Sequence, residues 1–190
     1  MRKGGVMHKG GRSLRRSFFK NREGSSAVEF AIVAPVFLAL TFSILEAGYF
    51  FFVEAGVEAA NDKAARLIRT GQAQSGAMSR EAFFDQICNV VELYGDCEKQ
   101  LTVDVARFSS FAQLAADTAS PICLNGDASD DDLPPTSYQT GGARDIIRVR
   151  VCFTHKSLSP GIGINLEKTG DGAVKMLSTS VFRSEPYEDS

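Results

Sequence analysis

The sequence has no tryptophan, two histidines and six prolines among 190 residues, and these shortages narrow the chemistry open to it. His8 lies in a basic N-terminal stretch, so a serine nucleophile with a histidine base would have to use His155. No Gly-x-Ser-x-Gly turn marks such a nucleophile, and His155 reads as an exposed residue at the end of a strand. No two of the four cysteines have C-x-x-C spacing, which removes the common zinc and redox motifs. Gly161-Ile162-Gly163 lacks the rest of a dinucleotide fingerprint, and Asp127, Asp130, Asp131 and Asp132 lack EF-hand spacing. The expectation is a protein that is not an enzyme, with no cofactor, no metal ion and no small-molecule substrate.

The length leaves room for one ordinary domain and an anchor. A net charge of -2 conceals a divided chain: the first 24 residues carry eight Lys or Arg and one acid, Glu23, whereas 13 basic residues face 22 acidic ones beyond that point. A basic head beside an apolar run reads as a positive cytoplasmic flank rather than a nucleic-acid-binding arm. All four cysteines, Cys88, Cys97, Cys123 and Cys152, lie beyond the apolar run. They fit two disulfides in an oxidising compartment, with three pairings open.

From Phe30 to Leu45 no residue is charged. At 1.5 Å per residue that stretch falls short of a hydrocarbon core about 30 Å thick, so a span must continue past Glu46 toward Val53. Glu46 then falls near the outer boundary, and Tyr49, Phe50, Phe51 and Phe52 suit a headgroup belt or burial against the domain beyond. Pro35 is tolerable in a membrane helix and predicts a kink near Ala31 to Pro35. Val57, Ala60, Ala64, Leu67 and Ile68 then recur on one helical face, with Glu58, Asp62, Arg66 and Arg69 largely on the other, to an end near Gly71. Glu29 is the anomaly, because a carboxylate toward the bilayer core costs about 2.5 to 3.5 kcal/mol on insertion scales. No basic residue of the following helix can pair with it, which leaves another molecule or a new N-terminal amine.

Beyond a break at residues 71–76, Ser79 caps a helix with Phe83, Ile87, Val90 and Tyr94 on its apolar face, stopped by Gly95. Cys88 and Cys97 are close enough for a local bridge, with Cys123 and Cys152 as the complementary pair. Leu101, Val103 and Val105, and then Ile147, Val149, Val151 and Phe153, alternate with more polar residues as two half-buried strands. A third strand runs from about Val174 to Phe182, and residues 126–142 form an acidic surface loop. The fold class is α+β: a long N-terminal membrane-spanning helix continuing into a small extracytoplasmic domain with a second helix and a short antiparallel sheet.

The stretch from Gly24 through Ser25-Ser26-Ala27-Val28-Glu29-Phe30 to Ala34-Pro35 resembles a type IV prepilin. More narrowly it resembles the TadE-like minor pilins or pseudopilins, and their TadF-like relatives, of tight-adherence (Flp) pilus systems. Val181-Phe182-Arg183-Ser184-Glu185-Pro186-Tyr187 is similar to that family's closing pattern. The resemblance implies a processing site at Gly24 and Ser25, cut by a prepilin peptidase, and pairing of Glu29 with the Ser25 amine of a neighbouring subunit. The mature chain would begin with Ser25, where many type IV pilins begin with a methylated Phe. The implied organisation is a leader over residues 1–24, a transmembrane helix over 25–53 and an extracytoplasmic domain over 54–190. Such a protein sits in the bacterial inner membrane with its N-terminus cytoplasmic. Its expected partners are the lipid bilayer, the peptidase, other pilin subunits and the assembly machinery, not nucleic acid. Two other readings are an uncleaved signal anchor and, because Leu14-Arg15-Arg16-Ser17-Phe18-Phe19-Lys20 resembles a twin-arginine signal, an exported soluble binder or enzyme. The long apolar run, Glu29 and the absence of an Ala-x-Ala site argue against the latter.

Overall fold

A computed structural model describes residues 24–124, 136–156 and 173–186. The leader before Gly24, the four loop aspartates, the Gly161-Ile162-Gly163 turn and Tyr187 lie outside the described residues. The chain forms two compact units, Met1–Thr41 and Phe42–Ser190.

Helix α1 (Ser25–Arg69) begins in the first unit and runs unbroken through Pro35. Every large apolar side chain from Val28 to Leu45 is between 48% and 72% exposed. A helix that is apolar all round needs an apolar surrounding on every side, and α1 is long and apolar enough to cross a membrane.

In the second unit α1 acquires a single buried face. Phe50, Val53, Val57, Ala60, Ala64, Leu67 and Ile68 are buried, spaced three and four residues apart so that they form one stripe. The helix stops where the sequence places the stop: Gly71 has φ 76°, a left-handed conformation that suits glycine, and its N–H donates to Ile68 O at 3.1 Å. The expected break that follows is a helical turn, α2 (Gln72–Ser75), closed by Ser75 N–H donating to Gly71 O at 2.8 Å. Helix α3 (Arg80–Val91) starts at the predicted cap, with Ala82 N–H donating to Ser79 Oγ at 3.1 Å. Val91 completes its buried face with Phe83 and Ile87, while Val90 and Tyr94 are half-buried. The helix tightens into a 3-10 turn, Glu92–Tyr94, before Gly95, and α4 (Cys97–Gln100) leads into the sheet.

Strands β1 (Leu101–Phe108), β2 (Ile146–Lys156) and β3 (Ala173–Arg183) form an antiparallel sheet in the order β1-β2-β3. Leu101, Val103 and Val105 pair with Phe153, Val151 and Val149, and this face joins the stripe of α1 and α3 in one core. Such burial stabilises by roughly 25 cal/mol per Å² of apolar surface. The outer edge of β1 is occupied in turn, since Val105 N–H donates to Ser137 O and Gln139 N–H to Val105 O.

The half-buried reading of β2 needs correcting, because its second face is covered as well. Arg148, Cys152 and Thr154 are buried beneath a strap that follows the short helix α5 (Phe111–Ala116). Three successive side chains on that face hold the strap. Arg148 Nη1 meets Asp117 Oδ2 at 2.5 Å, Arg150 Nη1 donates to Ala119 O at 2.8 Å, and Cys152 is bonded to Cys123. The Ala119 N–H and the Arg148 guanidinium hold the Asp117 carboxyl below its ordinary value. Cys88 and Cys97 form the other disulfide, so the local pairing is the one adopted.

Candidate functional site

The residues singled out at the start of α1 lie together on an uncovered helix end. Gly24, Ser25 and Glu29 are all exposed among the described residues. The Ser25 hydroxyl donates to Glu29 Oε1 at 3.0 Å. This partner was missed among the sequence expectations, which considered only cations, although residues four apart share a helix face. Pro35 lies a turn and a half farther along the same uncovered stretch.

The closing segment of the chain has a structural job in the second unit. Ser184 N–H donates to Asp145 O at 2.9 Å and Arg144 N–H to Ser184 O at 3.2 Å, while Arg183 Nε donates to Arg144 O at 2.8 Å. Glu185 N–H then donates to Arg69 O at 3.0 Å, which satisfies one of the carbonyls that a helix C-terminus leaves without an internal donor. The Arg69–Glu185 ion pair, at 3.3 Å, is more than half exposed on both sides and adds little beside that backbone bond. The motif thus fastens the last strand to the far end of α1.

His155 is buried rather than exposed at its strand end, which corrects the expectation. Its ring centroid lies 5.1 Å from that of Tyr49 and 6.0 Å from that of Phe50, because α1 crosses the end of β2 there. Neither ring nitrogen has a hydrogen-bond partner among the described residues, and burial holds its pKa below the ordinary value. Glu46, one turn earlier on α1, is buried too. Asn61 was likewise not foreseen: it interrupts the buried stripe and donates from Nδ2 to Ser180 Oγ at 2.6 Å.

A recess of about 310 Å³ lies among Phe83, Phe84, Leu101, Val103, Ile122 and Tyr138. Arg80, Glu98, Thr102 and Thr136 line it as well, and among the described residues no histidine or cysteine does. Among the described residues no group of His, Cys, Asp and Glu is placed to hold a metal ion.

Residues 24–66 match the family model described as TadE-like protein. The match begins at the proposed cut, takes in Glu29 and Pro35, and stops within the last turn of α1. No curated protein and no solved structure matches the chain.

Proposed function

Since this chain is TadE-like through residues 24–66, consistent with a tight-adherence pilus protein, we propose that it is a minor pilin or pseudopilin that a prepilin peptidase cuts between Gly24 and Ser25. It then helps to assemble or initiate a tight-adherence (Flp) pilus and so supports adhesion to surfaces. The observation that carries this reading is the family match over an apolar helix whose one early carboxylate, Glu29, sits a single turn from Ser25 at an uncovered end.

On this reading the chain performs no chemistry of its own. The basic leader keeps the N-terminus in the cytoplasm, and α1 holds the chain in the inner membrane with the sheet-bearing unit outside. Cleavage turns the Ser25 nitrogen into an ammonium. Glu29 of a neighbouring subunit is then the natural counter-charge, because an ion pair strengthens as the surrounding dielectric falls, and it fixes register between helices. The Ser25 hydroxyl holds the carboxylate until that partner arrives.

The test is the N-terminal residue and intact mass of the protein purified from its own membranes. A chain beginning at Ser25 supports the proposal. An intact leader removes the amine and leaves a signal anchor, and a cut beyond the apolar run makes the chain an exported soluble protein.

A further inference from the structure

Three features at one end of the second unit bear on how that unit meets the membrane. The first is direction. After Arg69 the chain turns back through α2, and α3 ends where Tyr94 meets α1: the Phe52 and Tyr94 rings are 5.3 Å apart, edge to face. The turn at 92–96 therefore lies at the end from which α1 runs back to Leu45. The second is the fixing of that turn. Gly56 lets Tyr94 lie directly on the helix, since a Cβ there would run into the Tyr94 ring. The Cys88–Cys97 disulfide closes the turn from both sides.

The third is what the turn displays. Leu93, next in sequence to the Tyr94 whose ring meets Phe52, is 79% exposed, and Phe51 and Phe52 on α1 are 71% and 55% exposed. Large apolar side chains gathered on a small unit mark a contact surface. Their height along α1 identifies the contact. Twenty residues from Phe30 cross a core of about 30 Å and reach Tyr49, so Phe52 lies about 4.5 Å farther out, within the headgroup layer. Glu92 and Asp96, both exposed, flank Leu93, and Asp96 is paired with Lys99 at 3.1 Å. Carboxylates on either side limit the turn to a shallow seat.

We propose that the turn Glu92–Tyr94 is a second membrane contact, separate from the spanning helix, which seats Leu93 with Phe51 and Phe52 in the outer headgroup layer. It rests on the reading of α1 as a membrane span, and it makes the unit lean on the bilayer instead of swinging freely from a single helix.

The absence of tryptophan supplies a clean test. Three single-tryptophan variants of the full chain, Phe37→Trp in the span, Leu93→Trp in the turn and Phe111→Trp at the opposite end of the sheet, are placed in zwitterionic phosphatidylcholine nanodiscs. The lipids carry bromine either near the headgroup or near the chain terminus. All three native side chains are well exposed, so the fold tolerates the changes. The expected result is blue-shifted emission from Leu93→Trp, lost to shallow bromine more than to deep bromine, with Phe111→Trp unaffected by either. Quenching of Phe37→Trp without quenching of Leu93→Trp overturns the contact while leaving the span intact. Blue-shifted but unquenched Leu93→Trp overturns it in favour of a protein partner. An unquenched Phe37→Trp removes the span itself, and the proposal with it.

Discussion

The two stretches of α1 are built from similar side chains and differ in what those side chains touch. From Val28 to Leu45 apolar residues point in every direction and stay uncovered. From Phe50 to Ile68 they recur every third or fourth residue, and one face of the helix is sealed against a sheet. The first pattern asks for an apolar medium on all sides, the second for a core on one side and water on the other. One continuous helix is thus soluble in neither medium alone, and the changeover between Leu45 and Phe50 is where it passes from one to the other. Glu46 falls at that changeover and is buried, so the first acid after the run meets protein and not open solvent.

Substitution separates the two regimes. The largest effect is expected from Ala60→Asp, which puts a carboxylate into the sealed face beside Val57 and Ala64. A loss of more than about 4 kcal/mol is expected, a large share of a domain's usual 5 to 15 kcal/mol. Urea unfolding of the detergent-solubilised chain measures it, and a wild-type midpoint would show that the face is not a core. Next come the disulfides. Replacing Cys123 and Cys152 by Ala opens a 29-residue separation and should cost roughly 3.5 kcal/mol, against roughly 2.5 for Cys88 and Cys97, which are nine apart. Equal unfolding midpoints for the two double variants would contradict that ranking.

Leu38→Asp attacks the other regime. It should lower membrane insertion by about 2.5 to 3.5 kcal/mol while leaving both disulfides formed, as membrane fractionation with thiol counting can establish. Glu29→Ala is the contrasting change in the same stretch: insertion is expected to be spared and pilus assembly impaired. Normal pili and normal subunit association in that variant would sink the pairing mechanism.

The smallest effect concerns pH. The His155 pKa is depressed by burial, so the unfolded chain takes up its proton first as pH falls. Its contribution to stability is full above the ordinary histidine value of 6.5 and is lost as pH drops from there through the folded-state pKa. His155→Phe should flatten the unfolding midpoint between pH 7 and pH 5, and an unchanged slope would remove His155 as the cause. Asp117, also depressed, shifts stability in the same direction but only below its ordinary 3.8.

Local pattern made much of this fold legible in advance. The stripe on α1, the Ser79 cap, the Gly71 stop and the three strands follow from spacing and side-chain chemistry a few residues apart. What escaped depends on residues far apart in the chain. Arg148, Arg150 and Cys152 alternate like a solvent face, and the strap from Asp117 to Cys123, which has no periodicity of its own, covers them. His155 looked exposed because nothing near it in sequence announces Tyr49 and Phe50. At the candidate site the place of the carboxylate at the start of the apolar helix was readable from the prepilin-like order of residues. The Ser25 hydroxyl was readable too, from its spacing, and was passed over because a charge invites the search for an opposite charge.

The bond from Glu185 to the last turn of α1 has a mechanical meaning. A pull directed down the helix axis enters the sheet-bearing unit at both ends of the α1 interface, along the buried stripe and through the fastened end of β3. The load is then carried in shear, parallel to the strands, where many contacts must yield together. A helix attached at one end only would peel away turn by turn. A unit held this way can be tugged through α1 without being unravelled by the pull.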